Sequence, residues 1–407
     1  MISIERALEI TLALAAEKST PDRMPAEAVA LEASLGRILR EDIAADSDYP
    51  RFDKAIRDGF AVRFEDVAQV PAVLDVIGES RAGHRSGVTV TPGTCCEIMT
   101  GAPLPEGANA VVMVEHTEAM PPSRVRFLRA VRQGEGLLRR AAELHSGERV
   151  LSSGKRIDPA DLGTLAGFGK SEVLVSKKPR VAILATGDEL VEVRETPGAD
   201  QIRNSNTYTL HAQVLAAGAE PVILGIGRDT MEDLRTKIRQ GLEHDILLVT
   251  GGVSMGKYDF VEDVFAESNI EVLFDSVAMK PGKPTVLGHR GETFVFGLPG
   301  NPVSTIVAFR MFVSPVIGSL LKMSPESHVG TLRACLEAPA KCDPARAAII
   351  PALVRFDGQS YRIQTAPWKG SSDLAGLSRA NAMVVIPRGE GTLQSGEWVD
   401  FFKLESL

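Results

Sequence analysis

The sequence predicts a multidomain α/β protein with a doubly wound, mostly parallel sheet and two smaller β domains. Between residues 179 and 321, apolar runs of buried-strand type alternate with helical stretches, which is typical of a parallel sheet covered by helices on both faces. Short β-type runs separated by Pro and Gly precede and follow that segment. The length of 407 residues agrees, because a single hydrophobic core stops growing near about 250 to 300 residues.

Local patterns predict the elements before the wound segment. Apolar residues at helical spacing predict a helix over residues 1–18, which ends before a pair of prolines. Residues 26–46 are predicted to hold a short helical stretch. Residues 49–150 are predicted to form the first β domain, because short strand-type runs such as VLDVIG and AVVMVEHT are separated there by turns. An Asp-Pro pair then opens a predicted helix over residues 158–167.

Within the wound segment, strand and helix patterns follow one another at regular spacing. The predicted strands cover residues 180–186, 221–226 and 245–250, and the predicted helices cover 207–217, 231–243 and 258–267. Beyond the segment the alternation stops, and the predicted β runs cover residues 333–336, 348–356, 361–365, 382–386 and 398–402. A small β domain is therefore expected to close the chain.

Composition excludes several classes of partner. With 45 Lys and Arg against 53 Asp and Glu, the net charge of −8 offers no general field for a phosphate backbone, so nucleic acid is not expected. The four cysteines form no CxxC pair, which argues against structural zinc and suits buried thiols in a reducing cytoplasm. The most apolar run, residues 303–321, contains Arg310 and Pro315 and is interpreted as a buried helix rather than a membrane span.

Three loops follow the predicted parallel strands, and ligands of such sheets bind beyond the carboxyl ends of the strands. The small and polar candidate ligand-binding residues on these loops are Thr186, Gly187, Gly251 and Gly252. Acidic residues occur on the same three loops, at Glu189, Asp229 and Asp259. Carboxylates brought together in this way suit Mg²⁺, which takes one or two carboxylates together with phosphate oxygens. Each acid alone is equally explained as a solvated residue or a helix cap.

The segment 251–257 has the spacing G-x-x-x-x-G-K of a phosphate-binding P-loop. The match fails at Tyr258, because the motif needs a short hydroxyl side chain there to reach Mg²⁺. A nucleoside triphosphatase is therefore a weak alternative. Small residues between a strand and a helix still expose N–H groups to an anion, although a tight turn needed only for packing would look the same.

Two rigid turns follow, KPGKP from Lys280 to Pro284 and GLPGNP from Gly297 to Pro302. Pro and Gly restrict the backbone, and Lys280 and Lys283 supply point charges for an oxyanion without a basic domain. Pro299 and Pro302 are candidate binding residues of the second turn. The alternative is that both turns only shape the backbone and bind no ligand.

These motifs carry a family resemblance. The blocks are RDGFAV (57–62), TGAPLPEGANAVVMVE (100–115), ATGDEL (185–190), GGVSMGKYDF (251–260), AMKPGKPTV (278–286) and GLPGNPVS (297–304). In this order they resemble molybdopterin molybdenumtransferase, the molybdenum insertase family that includes the E domain of gephyrin. The resemblance covers essentially the whole chain.

The resemblance implies an elongated homodimer whose subunits have four parts. Residues 1–26 and 177–326 would form the doubly wound α/β catalytic domain, and residues 27–45 and 147–176 a hinge region. Residues 46–146 would form the inserted β domain, and residues 327–407 a C-terminal β-barrel. The implied location is the cytoplasm, and the implied protein partners are a molybdopterin adenylyltransferase and downstream cofactor-processing proteins.

The resemblance also implies a reaction and its residues. Adenylylated molybdopterin and molybdate are the substrates, and the adenylate is cleaved in a Mg²⁺-dependent step that leaves molybdenum on the dithiolene sulfurs. The residues matching the nucleotide and Mg²⁺ end are Glu189, Asp229, Ser254 and Asp259. Lys280 and Lys283 match the lysines of the family's KPGKP turn, Lys280 as a catalytic residue. The residues that would form the molybdate pocket are Lys283, Pro284, Ser304, Arg346 and Ser371. Asp58 and Thr100 match polar residues that face the active cleft of the partner subunit.

The chain departs from the family pattern at identifiable positions. Ser276 stands where the family usually has a lysine. Residues 142–144 read Ala-Glu-Leu where the family usually has Gly-Glu-Asp, so Leu144 replaces the second carboxylate. The residues before Asp58 read Lys-Ala-Ile-Arg rather than containing Ser and Met. A divergent, non-catalytic relative that binds molybdopterin or a partner protein is therefore the alternative function.

Overall fold

The computed structural model describes residues 1–20, 23–84, 86–252, 260–325 and 330–404 of the chain, without the side chains of Phe260 and Glu262. The helices are α1 Ile4–Lys18, α2 Pro159–Gly167, α3 Asn206–Ala216, α4 Met231–Gly241, α5 Phe260–Glu267, α6 Pro302–Ala308, α7 Ser314–Leu320 and α8 Leu374–Ser378. Short 3₁₀ segments occur at Leu31–Ala33, Phe64–Val67 and Val114–His116, and a π-helical segment, Phe309–Val313, joins α6 to α7.

The strands of the first half are β1 Ala26–Ala30, β2 Ile43–Ala44, β3 Lys54–Ala55, β4 Gly59–Val62, β5 Ala72–Ser80, β6 Thr94–Ile98, β7 Ala110–Met113, β8 Thr117–Met120, β9 Arg124–Phe127, β10 Leu137–Leu138, β11 Arg149–Leu151, β12 Glu172–Ser176, β13 Arg180–Thr186, β14 Leu190–Val191 and β15 Ile202–Arg203. Those of the second half are β16 Glu220–Gly227, β17 Ile246–Thr250, β18 Glu271–Phe274, β19 Met279–Lys280, β20 Val286–Arg290, β21 Thr293–Leu298, β22 Leu332–Leu336, β23 Ala340–Lys341, β24 Ala347–Phe356, β25 Tyr361–Thr365, β26 Ala382–Ile386, β27 Thr392–Leu393 and β28 Trp398–Lys403.

The chain divides into two compact units. The first unit comprises residues 1–41, 153–159 and 172–407, and the second comprises residues 42–152 and 160–171. The first unit contains both the wound sheet and the C-terminal barrel. The four domain boundaries implied by the resemblance stay a prediction.

The wound sheet has the strand order β16-β13-β17-β21-β20-β18. Its first four strands run parallel. Strand β20 pairs antiparallel with β21, and the edge strand β18 pairs antiparallel with β20 and so runs in the direction of the first four. Successive residues of β13 face opposite cores: Val181 and Ile183 pack with α1, α3 and α6, whereas Ala182 and Leu184 pack with α4 and α5. Because both faces are covered, β13 is a nearly continuous apolar run. The predicted doubly wound, mostly parallel sheet is confirmed.

The most apolar helical run lies in the core of the first unit. Within the described residues, Pro302–Leu320 is the helix long and apolar enough to cross a membrane, and 72% of its apolar window is buried inside the protein. Its side chains pack against the sheet and also against Met383 and Phe402 of the barrel. The expected buried helix is confirmed, and it joins the sheet and the barrel in one core.

The C-terminal strands form a closed barrel. Five strands follow the order β24-β25-β22-β28-β26, and a further pairing of β26 with β24 closes the ring. Alternate side chains such as Ala352, Val384 and Phe401 fill its interior. The barrel also pairs with the wound domain, because β19 lies parallel to the start of β24. The expected C-terminal β-barrel is thus present.

The second unit is built around a sheet of order β7-β4-β6-β5-β9-β8. Apolar clusters lie on both faces of it, and the adjacent Cys95 and Cys96 belong to different clusters, as expected for neighbours on one strand. Burial raises the pKa of Cys95 to about 12 and that of Cys96 to about 11, so both thiols stay protonated and unreactive.

One local prediction is wrong. Residues 26–46, predicted to hold a helical stretch, form β1, one 3₁₀ turn and β2 instead. The β1 strand pairs antiparallel with β12, from Ala26 opposite Ser176 to Ala30 opposite Glu172. Because β12 is distant in sequence, the local pattern of residues 26–46 does not indicate this pairing. The pairing with β12 overrides the local helix propensity.

Candidate active site

A cavity of about 660 Å³ lies at the carboxyl ends of β13, β17 and β21; we name it the rim pocket. Its residues come from the loops that follow these three strands and β16, from the KPGKP turn, and from the starts of α3 and α8. The predicted residues that line it are Thr186, Gly187, Glu189, Asp229, Gly251, Gly252, Pro284, Pro299 and Pro302. The position is the one that a wound sheet favours for ligands.

The floor of the rim pocket requires glycine at one strand end. Gly251 has φ +91°, and a Cβ added there would lie 2.4 Å from the carbonyl oxygen of Thr186. The chain after β17 thus passes directly over the end of β13, and the Gly251 N–H donates to the carbonyl of Leu298 at 3.2 Å. Only a residue without a side chain fits this approach.

The GLPGNP turn forms a second wall and is held by three side chains. The hydroxyls of Thr250 and Thr305 both donate to the carbonyl of Pro299, at 3.2 and 2.5 Å. The Asn206 amide nitrogen donates to the carbonyl of Gly300 at 2.7 Å. These bonds connect β17, α3 and α6 to one turn, so its backbone is rigidly placed.

The mouth of the rim pocket is acidic. The N–H of Asp188 donates to the Asp229 carboxylate at 3.4 Å, and the N–H of Asp229 donates to the Asp188 carboxylate at 3.3 Å. Burial raises the pKa of the half-buried Asp229, and the charges of Asp188 and Glu189 raise it further. Glu189 folds back over Gly187, where an added Cβ would lie 2.4 Å from its carboxylate. Negative charge is therefore concentrated at this edge.

Two predicted residues of this edge, Ser254 and Asp259, lie outside the described residues, as does most of the P-loop-like segment. In the part of the chain that the structure describes, no group of three His, Cys, Asp or Glu side chains is placed to hold a metal ion. A cation here would therefore need ligands from its substrate as well as from the protein.

A second cavity, of about 500 Å³, is lined by cations; we name it the cation pocket. Lys280 and Lys283 come from the KPGKP turn, and Arg346 comes from the start of the barrel. The Arg346 guanidinium lies 4.0 Å from the Asp343 carboxylate, and both side chains are about 30% exposed. The predicted residues that line this pocket are Lys280, Lys283, Pro284, Pro299, Ser304, Arg346 and Ser371.

Ser371 is fixed at the wall of the cation pocket. Its hydroxyl accepts a hydrogen bond from the Asn301 amide at 3.0 Å, and its carbonyl accepts one from the Val303 N–H at 3.0 Å. The barrel segment is thereby joined to the GLPGNP turn. The structure thus brings Arg346 and Ser371 beside lysines that are far away in the sequence.

The two pockets adjoin one another. Pro284, Pro299 and Asn301 line both of them. Asn206, Asn301 and Trp368 also line these pockets and were not singled out from the sequence. The two asparagines stand next to rim-loop motifs, which is a signal that could have found them, whereas nothing local marks Trp368.

The other two predicted residues, Asp58 and Thr100, meet in the second unit. The Asp58 carboxylate accepts from the N–H and the hydroxyl of Thr100, at 2.7 and 2.8 Å. These bonds hold the pKa of the exposed Asp58 carboxyl below its usual value. The pair is therefore a fixed negative charge on the surface of its unit.

The positions that depart from the family pattern are structurally ordinary. The half-buried Ser276 donates its hydroxyl to the Asp275 carboxylate at 2.8 Å, and its carbonyl accepts from the Ile2 N–H. Leu144 forms an antiparallel bridge with Tyr49. Neither position disturbs its surroundings.

Three family models match the chain and together span most of it. "MoeA N-terminal region (domain I and II)" matches residues 2–169, "Probable molybdopterin binding domain" matches residues 182–319, and "MoeA C-terminal region (domain IV)" matches residues 333–404. Two crystal structures of the molybdopterin biosynthesis moeA protein from Pyrococcus horikoshii are similar over 99% of this chain, with TM-scores of 0.79 and 0.83 at 30% and 28% identity. They cover 99% and 100% of those chains. The fold and its paired pockets thus define a multidomain molybdenum cofactor biosynthesis protein.

Curated relatives specify the family. Molybdopterin molybdenumtransferase from Bacillus subtilis is 36% identical over 92% of this chain and 88% of its own length. The protein of the same name from a Nostoc species is 35% identical over 91% of this chain and 87% of its own. The chain belongs to the molybdopterin molybdenumtransferase family, whose members are transferases of molybdenum cofactor biosynthesis. This membership favours the enzyme over the non-catalytic alternative.

Proposed function

We propose that the chain catalyses the Mg²⁺-dependent insertion of molybdate into adenylylated molybdopterin, with release of AMP. One observation carries the proposal: an acidic pocket and a cationic pocket adjoin within one unit and share Pro284, Pro299 and Asn301 as walls. One elongated substrate can therefore extend from one pocket into the other. The relatives' name supports the same assignment.

The cation pocket is the proposed site for molybdate. Lys280, Lys283 and Arg346 supply positive charge, and Ser304 and Ser371 supply hydroxyl groups. Charged donors form stronger hydrogen bonds to an oxyanion than neutral donors do. In a chain of net charge −8, this pocket provides the local attraction that an anionic substrate needs.

The acidic mouth of the rim pocket is the proposed site for Mg²⁺. Glu189 and Asp229 would hold the ion, together with Asp259, which rests on the sequence match alone. The raised pKa of Asp229 fits this role, because carboxylates that repel one another are stabilised by a cation. When bound, Mg²⁺ neutralises the charge of phosphate oxygens during cleavage of the phosphoanhydride bond. Gly251 and Gly252 line the same pocket, and their lack of side chains lets a ligand approach the backbone closely.

The decisive experiment measures AMP release from adenylylated molybdopterin in the presence of molybdate and Mg²⁺. Lys283→Ala is expected to reduce the rate by about a hundredfold or more, since it removes a charge from a preorganised oxyanion site. Lys341→Ala is the matched control, because this exposed lysine of β23 lines neither pocket. AMP release by the control but not by Lys283→Ala supports the assignment. No release by the wild-type protein would overturn it in favour of the non-catalytic alternative.

We further propose that the protein acts as a cytoplasmic homodimer, with Asp58 and Thr100 facing the pockets of the partner subunit. Their fixed, exposed carboxylate supports a role toward a ligand outside its own unit. Four buried, free cysteines suit a reducing compartment. A molybdopterin adenylyltransferase is the proposed supplier of substrate, and cofactor-processing proteins are the proposed recipients. Sedimentation of the purified protein tests the dimer, since a monomer at micromolar concentration would contradict it.

A further inference from the structure

The rim pocket contains a side-chain amide whose orientation is determined by its neighbours. The nitrogen of Asn206 donates to the Thr250 hydroxyl at 3.0 Å and to the Gly300 carbonyl at 2.7 Å. A backbone carbonyl can only accept, so the nitrogen rather than the oxygen must point toward Gly300. The Thr250 hydroxyl donates onward to Pro299 and therefore accepts from Asn206. The amide cannot flip without losing these bonds.

This orientation leaves Oδ1 as the free acceptor of Asn206, a residue that lines the rim pocket. The atom is buried and has no hydrogen-bond partner among the described residues. An unpaired buried acceptor destabilises the free protein unless a ligand or water supplies a donor. Since both amide protons are already used, Oδ1 can recognise a donor but the side chain offers no further donor of its own.

A second unpaired polar atom lies on the floor of the same pocket. Thr186 is 2% exposed, and its Oγ1 atom has no hydrogen-bond partner among the described residues. Gly251 passes close to it, because a Cβ at that glycine would lie 3.1 Å from Oγ1. Both Thr186 and Asn206 line the rim pocket, so one ligand can satisfy both atoms.

The chemistry of the two atoms restricts the ligand group. A phosphate oxygen is excluded at Asn206, because two acceptors repel one another. Gly251, Pro299 and Pro302 also line the pocket, and because none of them carries a polar side chain they can pack against a ring. A fused nitrogen heterocycle carries N–H donors on its edge and fits both requirements. The proposed substrate contains two such rings, pterin and adenine.

We propose that Asn206 and Thr186 recognise the N–H edge of a fused nitrogen heterocycle bound in the rim pocket. Asn206 Oδ1 accepts from the ring or its exocyclic amine, and the Thr186 hydroxyl completes the contact. The inference rests on the proposed function for the identity of the two rings. It assigns Asn206 as a specificity-determining residue, while the chemical step stays with the charged groups of the two pockets.

The test uses two probes with the full-length protein. AMP and IMP differ in that IMP carries an oxygen in place of the exocyclic amine, and 6-hydroxymethylpterin represents the other ring. Calorimetric titration in the presence of Mg²⁺ measures the nucleotides, and fluorescence titration measures the pterin. Asn206→Ala and Thr186→Val are each expected to weaken binding of the recognised ring about fivefold to tenfold, the loss of one hydrogen bond.

The probes distinguish the two rings. If adenine is recognised, the preference of the wild-type protein for AMP over IMP disappears in Asn206→Ala. If pterin is recognised, pterin binding weakens and both nucleotides are unaffected. Either result supports the inference. Binding of all three probes unchanged in both variants, or no binding of any probe by the wild-type protein, overturns it.

Two controls separate recognition from folding. Thr186→Val removes an unpaired buried hydroxyl at constant shape, so the thermal midpoint of the free protein is expected to be unchanged or raised. Gln213→Met alters another α3 amide whose oxygen also has no partner among the described residues. Because Gln213 does not line the pocket, probe binding should be retained.

AMP release is measured on the same samples. Probe recognition without AMP release by the wild type would overturn the proposed function alone, whereas AMP release with unaltered probe binding in the variants would overturn this inference alone.

Discussion

At the level of individual side chains, the rim pocket contains a carboxylate whose charge is unfavourable in the free protein. Burial and the neighbouring Asp188 and Glu189 raise the pKa of Asp229. The sequence placed Glu189 and Asp229 on the same rim from the order of strands and loops alone. It could not show their electrostatic conflict, because that depends on burial and on distances between loops.

Asp229→Asn is expected to stabilise the free protein at neutral pH. A carboxyl whose folded pKa is raised destabilises the fold once it is ionised, and the amide removes that charge. The gain should disappear as the pH falls below the ordinary Asp pKa of about 3.9, where the wild-type carboxyl is protonated as well. Thermal or denaturant unfolding from pH 7 down to about pH 3, below that ordinary pKa, measures the difference. A variant less stable than the wild type at pH 7 would contradict this account.

The same variant should lose its response to Mg²⁺. Added Mg²⁺ is expected to raise the thermal midpoint of the wild-type protein, because an ion that binds only the folded state stabilises it. Asp229→Asn should show a smaller rise, since one ligand is lost. Glu195→Gln, at an exposed position outside the rim pocket, is the matched control and should respond like the wild type.

Ser276→Lys tests the departure from the family pattern that lies closest in sequence to the KPGKP turn. The position precedes β19, and the present side chain only donates to Asp275. A lysine is expected to lower the KM for molybdate several-fold, because it adds a cation to an oxyanion site. Steady-state kinetics at varied molybdate concentration measure the effect. An unchanged or higher KM would show that the departure has no role in anion binding.

At the level of strands and turns, the site depends on close contacts between the ends of parallel strands. The run from Arg180 to Thr186 was predicted with its observed bounds, because its apolar pattern is local. The helical stretch predicted within residues 26–46 was wrong, because β1 is stabilised by β12 from a distant part of the chain. Local pattern determines an element only where no remote partner competes.

Gly251→Ala is expected to destabilise the protein by about 2 kcal/mol or more and to abolish AMP release. The new Cβ would lie 2.4 Å from the carbonyl oxygen of Thr186, at a backbone φ of +91°. Gly389→Ala is a control in the same unit, since a Cβ there meets nothing closer than 4.0 Å. Its stability should change by no more than about 0.5 kcal/mol. Denaturant unfolding compares the two, and equal stabilities would show that the strand ends tolerate separation.

At the level of the complete chain, opposite charges are sorted between two adjoining pockets. The net charge of −8 conceals Lys280, Lys283 and Arg346, which converge from the wound domain and the barrel. The two lysines were predicted to act together because they share one turn. The placement of Arg346 depended on the family resemblance, since nothing in its local sequence indicates a pocket.

The proposed homodimer predicts complementation between two inactive variants. Asp58→Ala removes the charge offered to the partner, and Lys283→Ala disables a subunit's own cation pocket. Mixed after dissociation and reassociation, the two should recover about one quarter of wild-type AMP release, because half of the dimers are mixed and each mixed dimer has one intact site. Wild type carried through the same procedure is the control. No recovery, with mixed dimers verified by mass, would place Asp58 in the site of its own subunit. An Asp58→Ala variant that is active by itself would place Asp58 outside the reaction.

Local sequence alone determined three parallel strands of the wound sheet (β13, β16 and β17) with the helices that follow them, the five barrel strands and the loops that line the rim. This was possible because apolar period and turn residues act over a few positions. Tertiary structure decided which side chains share a cavity, joining Arg346 and Ser371 to Lys283. It also buried the Oδ1 atom of Asn206, a residue that lines the rim pocket, without a hydrogen-bond partner in the part of the chain that the structure describes. Both features result from hydrogen bonds and burial, which involve groups that come together only when the chain folds.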